Sequence, residues 1–375
     1  MLQQKAIVVG AGIVGLATAR ALAIKGFKVT VIDKTQEAIG ASIRNFGMLW
    51  PVGQPDGPLY NRAKRSKEIW IECLQGMKQP FNPCGSVHLA YFQDEWAVLE
   101  EMHTKFSSNN RPVQLFTASQ ITERFSGINS RKLIGGLYSD DEVIVDPRAA
   151  IKGLPAYLHA AYGVDFIWGT AITGVTKHKA SSFDKEFEAD IICVCSGADF
   201  ETLFPSIFKS LPITKSRLQM MRFKHEKPGY KIGTAVCGGL SLLHYKSFAV
   251  ASTLSDLQTR INNEMSEYVK HGIHVMVSQS AEGELTVGDT HEYGLEFDPF
   301  DNHYLNQLVL DYLKKMMHID DWQITQSWNG IYPVMKNGAT DLFLTVEPGV
   351  YILNGIGGHG MTMSFGFAEE TINTL

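Results

Sequence analysis

The chain has 375 residues, 45% of them hydrophobic and 19% charged, with a formal net charge of −5. The low charged fraction and ample apolar content exclude a disordered chain and allow about two packed domains. No long basic tract is present, so the charge pattern gives no support for nucleic-acid binding. Glycine supplies 34 residues, about 9% against a usual ~7%, and the glycines cluster at both ends of the chain.

Residues 5–9 (KAIVV) predict a short buried strand. Gly10-Ala11-Gly12-Ile13-Val14-Gly15 follows, then an Ala/Leu-rich helix to about Lys25, ended by Gly26. Lys28–Ile32 predicts a second strand with Asp33 at its end, completing a βαβ unit. The apolar stretch Ala6–Ala19 resembles the core of a secretory signal. It is shorter than the ~18 residues of a membrane span, and no small-residue cleavage site follows it. Strands are predicted at 84–91 and 113–116, and helices at 93–107 and 119–125. Asp146 caps a helix with Pro147 at its first position. Strands near 164–168, 171–176 and 188–195 follow. Beyond Thr214, strands at 216–223, 235–243, 273–279 and 284–289 suggest an antiparallel sheet, with helices at 255–270 and 302–317. Trp328-Asn329-Gly330 and Gly355–Gly360 predict glycine-rich turns, the second leading into a last helix. Cys73, Cys84, Cys193, Cys195 and Cys237 form no CxxC. Cys193 and Cys195 share one strand face as buried small hydrophobes, and a reducing, cytoplasmic compartment is expected.

Each glycine of Gly10-x-Gly12-x-x-Gly15 has a physical task. Gly10 makes the tight turn, Gly12 lets a pyrophosphate approach the backbone, and Gly15 permits close helix–strand packing. Ile13 and Val14 open the helix, whose free N–H groups and partial positive charge suit a diphosphate. Asp33 lies 18 residues past Gly15 (33 − 15), placed for ribose hydroxyls. Dinucleotide binding is the expectation, and a helix start used only for packing is the alternative. A second bare helix start at Gly355-x-Gly357-Gly358-His359-Gly360-Met361-Thr362 could stabilise negative charge on a reduced flavin ring, which favours FAD over NAD. A sharp chain reversal is the alternative there.

Seven segments together resemble the D-amino-acid oxidase/glycine oxidase family of FAD-dependent oxidoreductases. They are IVVGAGIVGLATA (7–19), VTVID (29–33), ASIRNFGM (41–48), VDPR (145–148), ADIICVCSGAD (189–199), WNGIYP (328–333) and GIGGHGMTMSFGFAEE (355–370). The stretch Ala41-Ser42-x-Arg44-Asn45-Phe46-Gly47-Met48-Leu49-Trp50-Pro51-x-Gly53-Gln54 is similar to a bacterial subgroup proposed to oxidise aminophosphonates. The resemblance implies an α/β fold: a Rossmann-like FAD-binding domain of the glutathione-reductase type (1–80, 140–213 and 325–375). It would be interleaved with an α+β antiparallel-sheet substrate domain (81–139 and 214–324). It implies non-covalent FAD, since the C-terminal flavin segment has no cysteine. Gly10, Gly12, Gly15, Asp33 and Lys34 would hold its ADP half. Ala41 and Ser42 would reach the diphosphate, and Arg44, Asn45, Phe46, Gly47 and Met48 would line the flavin. Val175 would contact adenine beside Gly197. Gly330, Gly355, Gly357, Gly358, His359, Gly360, Met361 and Thr362 would contact the ring and ribityl chain.

One departure from the family pattern bears on the substrate. Tyr332 stands where related amino-acid oxidases carry an arginine that forks onto the substrate carboxylate. A phenol cannot replace that clamp. Candidate anion holders are Arg44, Lys215, Arg217, Arg222 and Lys246, with Gln219 on the Arg217 strand face. Trp50, Gln54, Tyr245 and Trp328 are candidate pocket walls. No metal site is expected, since His291, His303 and His318 lack ligand spacing. The implied activity is hydride transfer from a small amine, an aminophosphonate or amino acid, to flavin N5, with no dedicated base. Oxygen or another acceptor would reoxidise the flavin. Alternatives are a hydroxy-acid or secondary-amine (sarcosine-like) dehydrogenase and a non-catalytic electron-relay subunit. Oligomeric state is open.

Overall fold

The computed structural model describes residues 3–375. β1 (Lys5–Val9) lies inside a six-stranded sheet. α1 (Ile13–Ile24) crosses from it to β2 (Lys28–Ile32), which pairs with β1 in parallel. The strand order is Leu342–Glu347, Val350–Asn354, Ile191–Val194, β1, β2, Asp165–Ile167. Only the first of these runs antiparallel to its neighbour. A parallel sheet must be covered on both faces, and the alternation of β1 shows both covers. Ala6 and Val8 join Val29, Val31, Cys193 and the apolar side of α1 in one core. Ile7 joins Ile32, Ile192 and Val194 in another. Cys193 and Cys195 are both buried on the α1 face as free thiols.

The second sheet has nine strands. Ile213–His225 pairs antiparallel with Trp322–Met335 along its length, and also with Glu292–Gly294 and Leu285–Gly288. Met276–Gln279 and Ala235–Cys237 follow, then Ser86–Ala90, Gly135–Ser139 and Val113–Thr117. This sheet carries its own large core, which includes Val87, Phe106, Phe223 and Phe248.

Three local expectations change. The strand expected over 235–243 stops at Cys237, and a short helix, Leu240–His244, follows. Gly238 and Gly239 sit against Tyr312, Met316 and Glu95, with no room for side chains. The helix expected over 255–270 breaks at Met265 into Leu254–Glu264 and Ser266–Lys270. Trp328-Asn329-Gly330 is no turn but lies inside the 14-residue strand Trp322–Met335. Gly330 is there because a Cβ would stand 3.2 Å from the carbonyl oxygen of Arg44.

Candidate active site

A cavity of about 740 Å³ runs from the glycine turn after β1 to the face of the second sheet. At the turn, Gly10 has φ +106°, and a Cβ there would lie 2.4 Å from the Cys195 carbonyl oxygen. Gly12 caps α1, whose first turn holds no acidic residue. The Ile13 N–H donates to Ser42 Oγ at 2.9 Å. The Ala11 N–H donates to Asp33 Oδ2 at 2.6 Å, and Asp33 Oδ1 accepts from Thr35. Asp33 therefore faces the cavity and also pins the turn. Val14, Lys34, Ala41 and Gly197 line the same end, with Lys34 paired to Asp199.

Gly15, Gly47 and Val175 stay off the cavity. A Cβ on Gly15 would sit 1.9 Å from the Gly10 carbonyl oxygen, so this glycine serves helix–strand packing. A Cβ on Gly47, at φ +69°, would lie as close to the Val145 carbonyl oxygen. Val175 is buried in a core, on a strand of a separate three-stranded sheet. Thr170, Ala171 and Ile172 line the cavity instead. The Thr170 N–H donates to the Asp33 carbonyl and ties that loop to the end of β2.

The middle of the cavity is shaped by the loop 41–50. Asn45 organises it by donating to the carbonyls of Ala41 and Ser42 and accepting from the Gly47 N–H. Ser278 Oγ donates to the Phe46 carbonyl, fastening the loop to the second sheet. Arg44, Phe46, Met48 and Gly330 line this part. Opposite, Gly355 and the turn Gly357–His359 lead into the last helix, Gly360–Asn373, which has no side-chain cap. Orphan N–H groups at Gly360, Met361 and Thr362 start at the cavity wall. Thr362 Oγ1 accepts from the Trp50 N–H at 3.0 Å. Gln54 does not reach the cavity. Its amide donates to His359 Nδ1 at 3.0 Å, and burial, aided by Lys246, holds His359 down at about 4.

The far end is aromatic. Trp50 and Tyr245 stand with ring centres 6.1 Å apart, and Tyr332 closes the chamber beside Gly358. Burial pushes both phenols up, so they face the chamber as neutral hydroxyls. Of the five candidate cations, only Arg44 and Lys246 line the cavity. Arg44 donates to the Asn329 carbonyl, and Lys246 to that of Gly338. Arg217 is instead held by Asp301 at 3.0 Å and Glu292 at 3.4 Å. Gln219 is spent on Asn302 and Asn306, Lys215 on Glu201, and Arg222 on Glu284. Trp328 turns away, donating to the Arg44 carbonyl under the guanidinium groups of Arg148 and Arg222. His244, His274, Asp289 and His291 also line the chamber. Spacing gave no motif for these four, which converge from three separate segments, with Asp289 and His291 two apart on one of them. The triplet His244-Tyr245-Lys246 after an apolar run was the one available signal.

Glu142 supports the wall from behind. It is fully buried and accepts from the Val52 N–H and Ser86 Oγ, each at 2.9 Å. Burial raises its carboxyl from 4.5 to about 7. The folded state therefore binds more protons than the unfolded chain between those values. Its contribution is full below pH 4.5 and is lost as pH rises through 7, at most about 3 kcal/mol. Glu142→Gln should flatten that part of the stability profile between pH 5 and 8, measured by denaturant titration. An unchanged slope would contradict this assignment.

A parallel sheet with a bare helix start at its switch, joined through one cavity to a second sheet, is the build of a dinucleotide-dependent enzyme. The chain belongs to the DAO family of FAD dependent oxidoreductases, whose pattern matches residues 5–374. The bifunctional protein ThiO/ThiG of Nostoc sp. is 24% identical over 58% of this chain, which spans 34% of that relative's length. D-amino acid dehydrogenase of Paramagnetospirillum magneticum is 22% identical, covering 96% of this chain and 92% of its own. L-proline dehydrogenase of P. horikoshii has the same fold, with a TM-score of 0.80 at 19% identity, covering 99% of this chain and 92% of its own. Among the described residues no helix is long and apolar enough to cross a membrane.

Proposed function

We propose that this chain oxidises a small amine at its carbon–nitrogen bond, with non-covalently bound FAD taking the electrons and oxygen as final acceptor. The observation that carries this reading is one continuous cavity linking two bare helix starts to an aromatic chamber. The residues present fit the cofactor: no side chain of Gly10, Gly12, Gly357 or Gly358 fills the cradle, and Asp33 stands at the end of β2. FAD supplies a two-electron acceptor that no side chain can offer. The glycine turn and Asp33 would hold its ADP half, with Ala41, Ser42 and the 170–172 loop beside it. Arg44 to Met48 would flank the flavin. The N–H groups of Gly360–Thr362 would stabilise the negative charge gained on reduction. We assign residues 1–80, 140–213 and 325–375 to cofactor binding and 81–139 and 214–324 to the substrate side, with the strand Trp322–Met335 of the second sheet crossing the boundary at 325.

Trp50, Tyr245 and Tyr332 would orient the amine by packing and exclude water. With Tyr332 in place of an arginine, the chamber lacks a carboxylate fork and favours an amine whose anionic group is held elsewhere. An aminophosphonate with its anion on Lys246 fits that layout. Turnover of 2-aminoethylphosphonate should release ammonia and an aldehyde. Lys246→Met removes one charge-assisted hydrogen bond, ~1.5–3 kcal/mol, so KM for the phosphonate should rise on the order of 10- to 100-fold. KM for a neutral amine of equal length should barely move. Equal effects on the two substrates would contradict the role of Lys246, and oxidation without ammonia would contradict primary-amine chemistry.

A further inference from the structure

His244 ends the short helix Leu240–His244, His274 precedes the strand Met276–Gln279, and His291 precedes Glu292–Gly294. One ring nitrogen from each lies within 4.8 Å of the others. The rings of His244 and His274 are stacked, with centres 3.7 Å apart, and those of His274 and His291 are 5.3 Å apart. All three line the chamber beside Tyr245, with His244 exposed and His274 and His291 buried. His274 is buried, yet neither of its ring nitrogens makes a hydrogen bond among the described residues. Buried polar atoms without partners are rare and call for a ligand or a role.

The surroundings of the rings match those of metal ligands. His291 Nδ1 lies 2.9 Å from the Gly272 carbonyl oxygen, a backbone acceptor that orients the ring with Nε2 as the nitrogen available to a ligand. His274 Nε2 stands 3.0 Å from Asp289 Oδ1, close to an orienting carboxylate but outside hydrogen-bonding geometry, so both ring nitrogens are without a partner among the described residues.

We propose that His244, His274 and His291 form a three-imidazole site for a borderline divalent cation, with Zn²⁺ the natural occupant. Imidazole nitrogens select Zn²⁺, Co²⁺, Ni²⁺ or Cu²⁺ over Mg²⁺ and Ca²⁺, which require oxygen ligands. Bonds of ~2.0–2.1 Å in a tetrahedron put ligand nitrogens about 3.3 Å apart, so the rings close by roughly 1.5 Å on binding. Three protein ligands leave a fourth position facing the chamber. There the ion would hold the anionic group of a substrate together with Lys246, the task an arginine at position 332 would otherwise perform. That role rests on the amine reading above, but metal binding itself does not.

The test uses the FAD-loaded full chain, freed of metal by chelator and dialysis, and titrated calorimetrically with Zn²⁺ alone. Metal analysis after gel filtration counts the bound ion. One ion per chain is expected, with affinity lowered on the order of 100-fold in His274→Ala and in His291→Ala. His303→Ala, on the surface, should bind as the wild type does. His244→Asn, at the cavity surface, keeps the test valid should a buried variant fail to fold, and it too should weaken binding. Absence of a saturable site in the wild type, or equal binding by the wild type and the three ligand variants, would overturn the site. A stoichiometric ion in a chain that oxidises no amine would leave the metal site standing and sink the amine reading alone.

Discussion

Gly12→Val should give a folded protein that purifies without flavin colour. Gly12 caps α1 at the cavity wall, and a Cβ there would approach only Ser42 Oγ, at 3.2 Å. No backbone stands in the way, so the sheet and helix survive. The valine methyl groups would instead project into the space where a diphosphate must reach the helix N–H groups. Losing two charge-assisted hydrogen bonds at ~1.5–3 kcal/mol each weakens FAD binding on the order of 100-fold or more. The readouts are the visible spectrum of the purified variant and its affinity for added FAD, with thermal unfolding as the check on fold. A yellow variant with full flavin occupancy would place the diphosphate elsewhere.

Gly53→Ala should do the opposite, sparing flavin and damaging turnover. A Cβ at Gly53 would lie 2.7 Å from ring atoms of both Trp50 and Tyr245. These rings cannot both stay, because Trp50 is fixed through its backbone to Thr362 and Tyr245 donates to Met276 Sδ at 3.0 Å. One or both must shift by several tenths of an ångström or more. Misplacement of about 1 Å at a positioning contact can cost on the order of 100-fold in rate. kcat/KM should fall on that scale while FAD affinity stays within about 2-fold, since none of the diphosphate contacts is touched. Unaltered turnover would show that this aromatic wall does not position the substrate.

The parallel sheet was legible because its constraints are local. The run KAIVV, the Gly10-x-Gly12-x-x-Gly15 spacing and Asp33 at the end of β2 all follow from backbone geometry within one βαβ unit. The second helix start at Gly357–Gly360 was legible for the same reason. What was hidden depends on partners distant in sequence. Strand alternation puts Arg217 and Gln219 on one face, and they do share it. That face meets Asp301, Glu292, Asn302 and Asn306 from a later segment, which no alternation rule shows. Val175 and Ile172 look alike as apolar residues near a strand. Only the hydrogen bond from the Thr170 N–H to the Asp33 carbonyl decides which loop faces the cavity. Gly330 read as a turn residue because glycine marks both turns and close backbone approach, and here the approach of Arg44 is the cause. The three chamber histidines lie in segments with no shared spacing, so their convergence exists only in the folded chain.

The central claim is that electrons pass from a small amine to FAD held in this cavity, and the flavin itself reports on it. The purified chain, loaded with FAD and freed of oxygen, is mixed with 2-aminoethylphosphonate, D- and L-amino acids and N-methyl amino acids, one at a time. At least one of these amines should bleach the oxidised flavin spectrum in a saturable way, with colour returning when air is admitted. A flavin that stays oxidised with every amine, yet bleaches with a hydroxy acid or only in the presence of a partner protein, would contradict it.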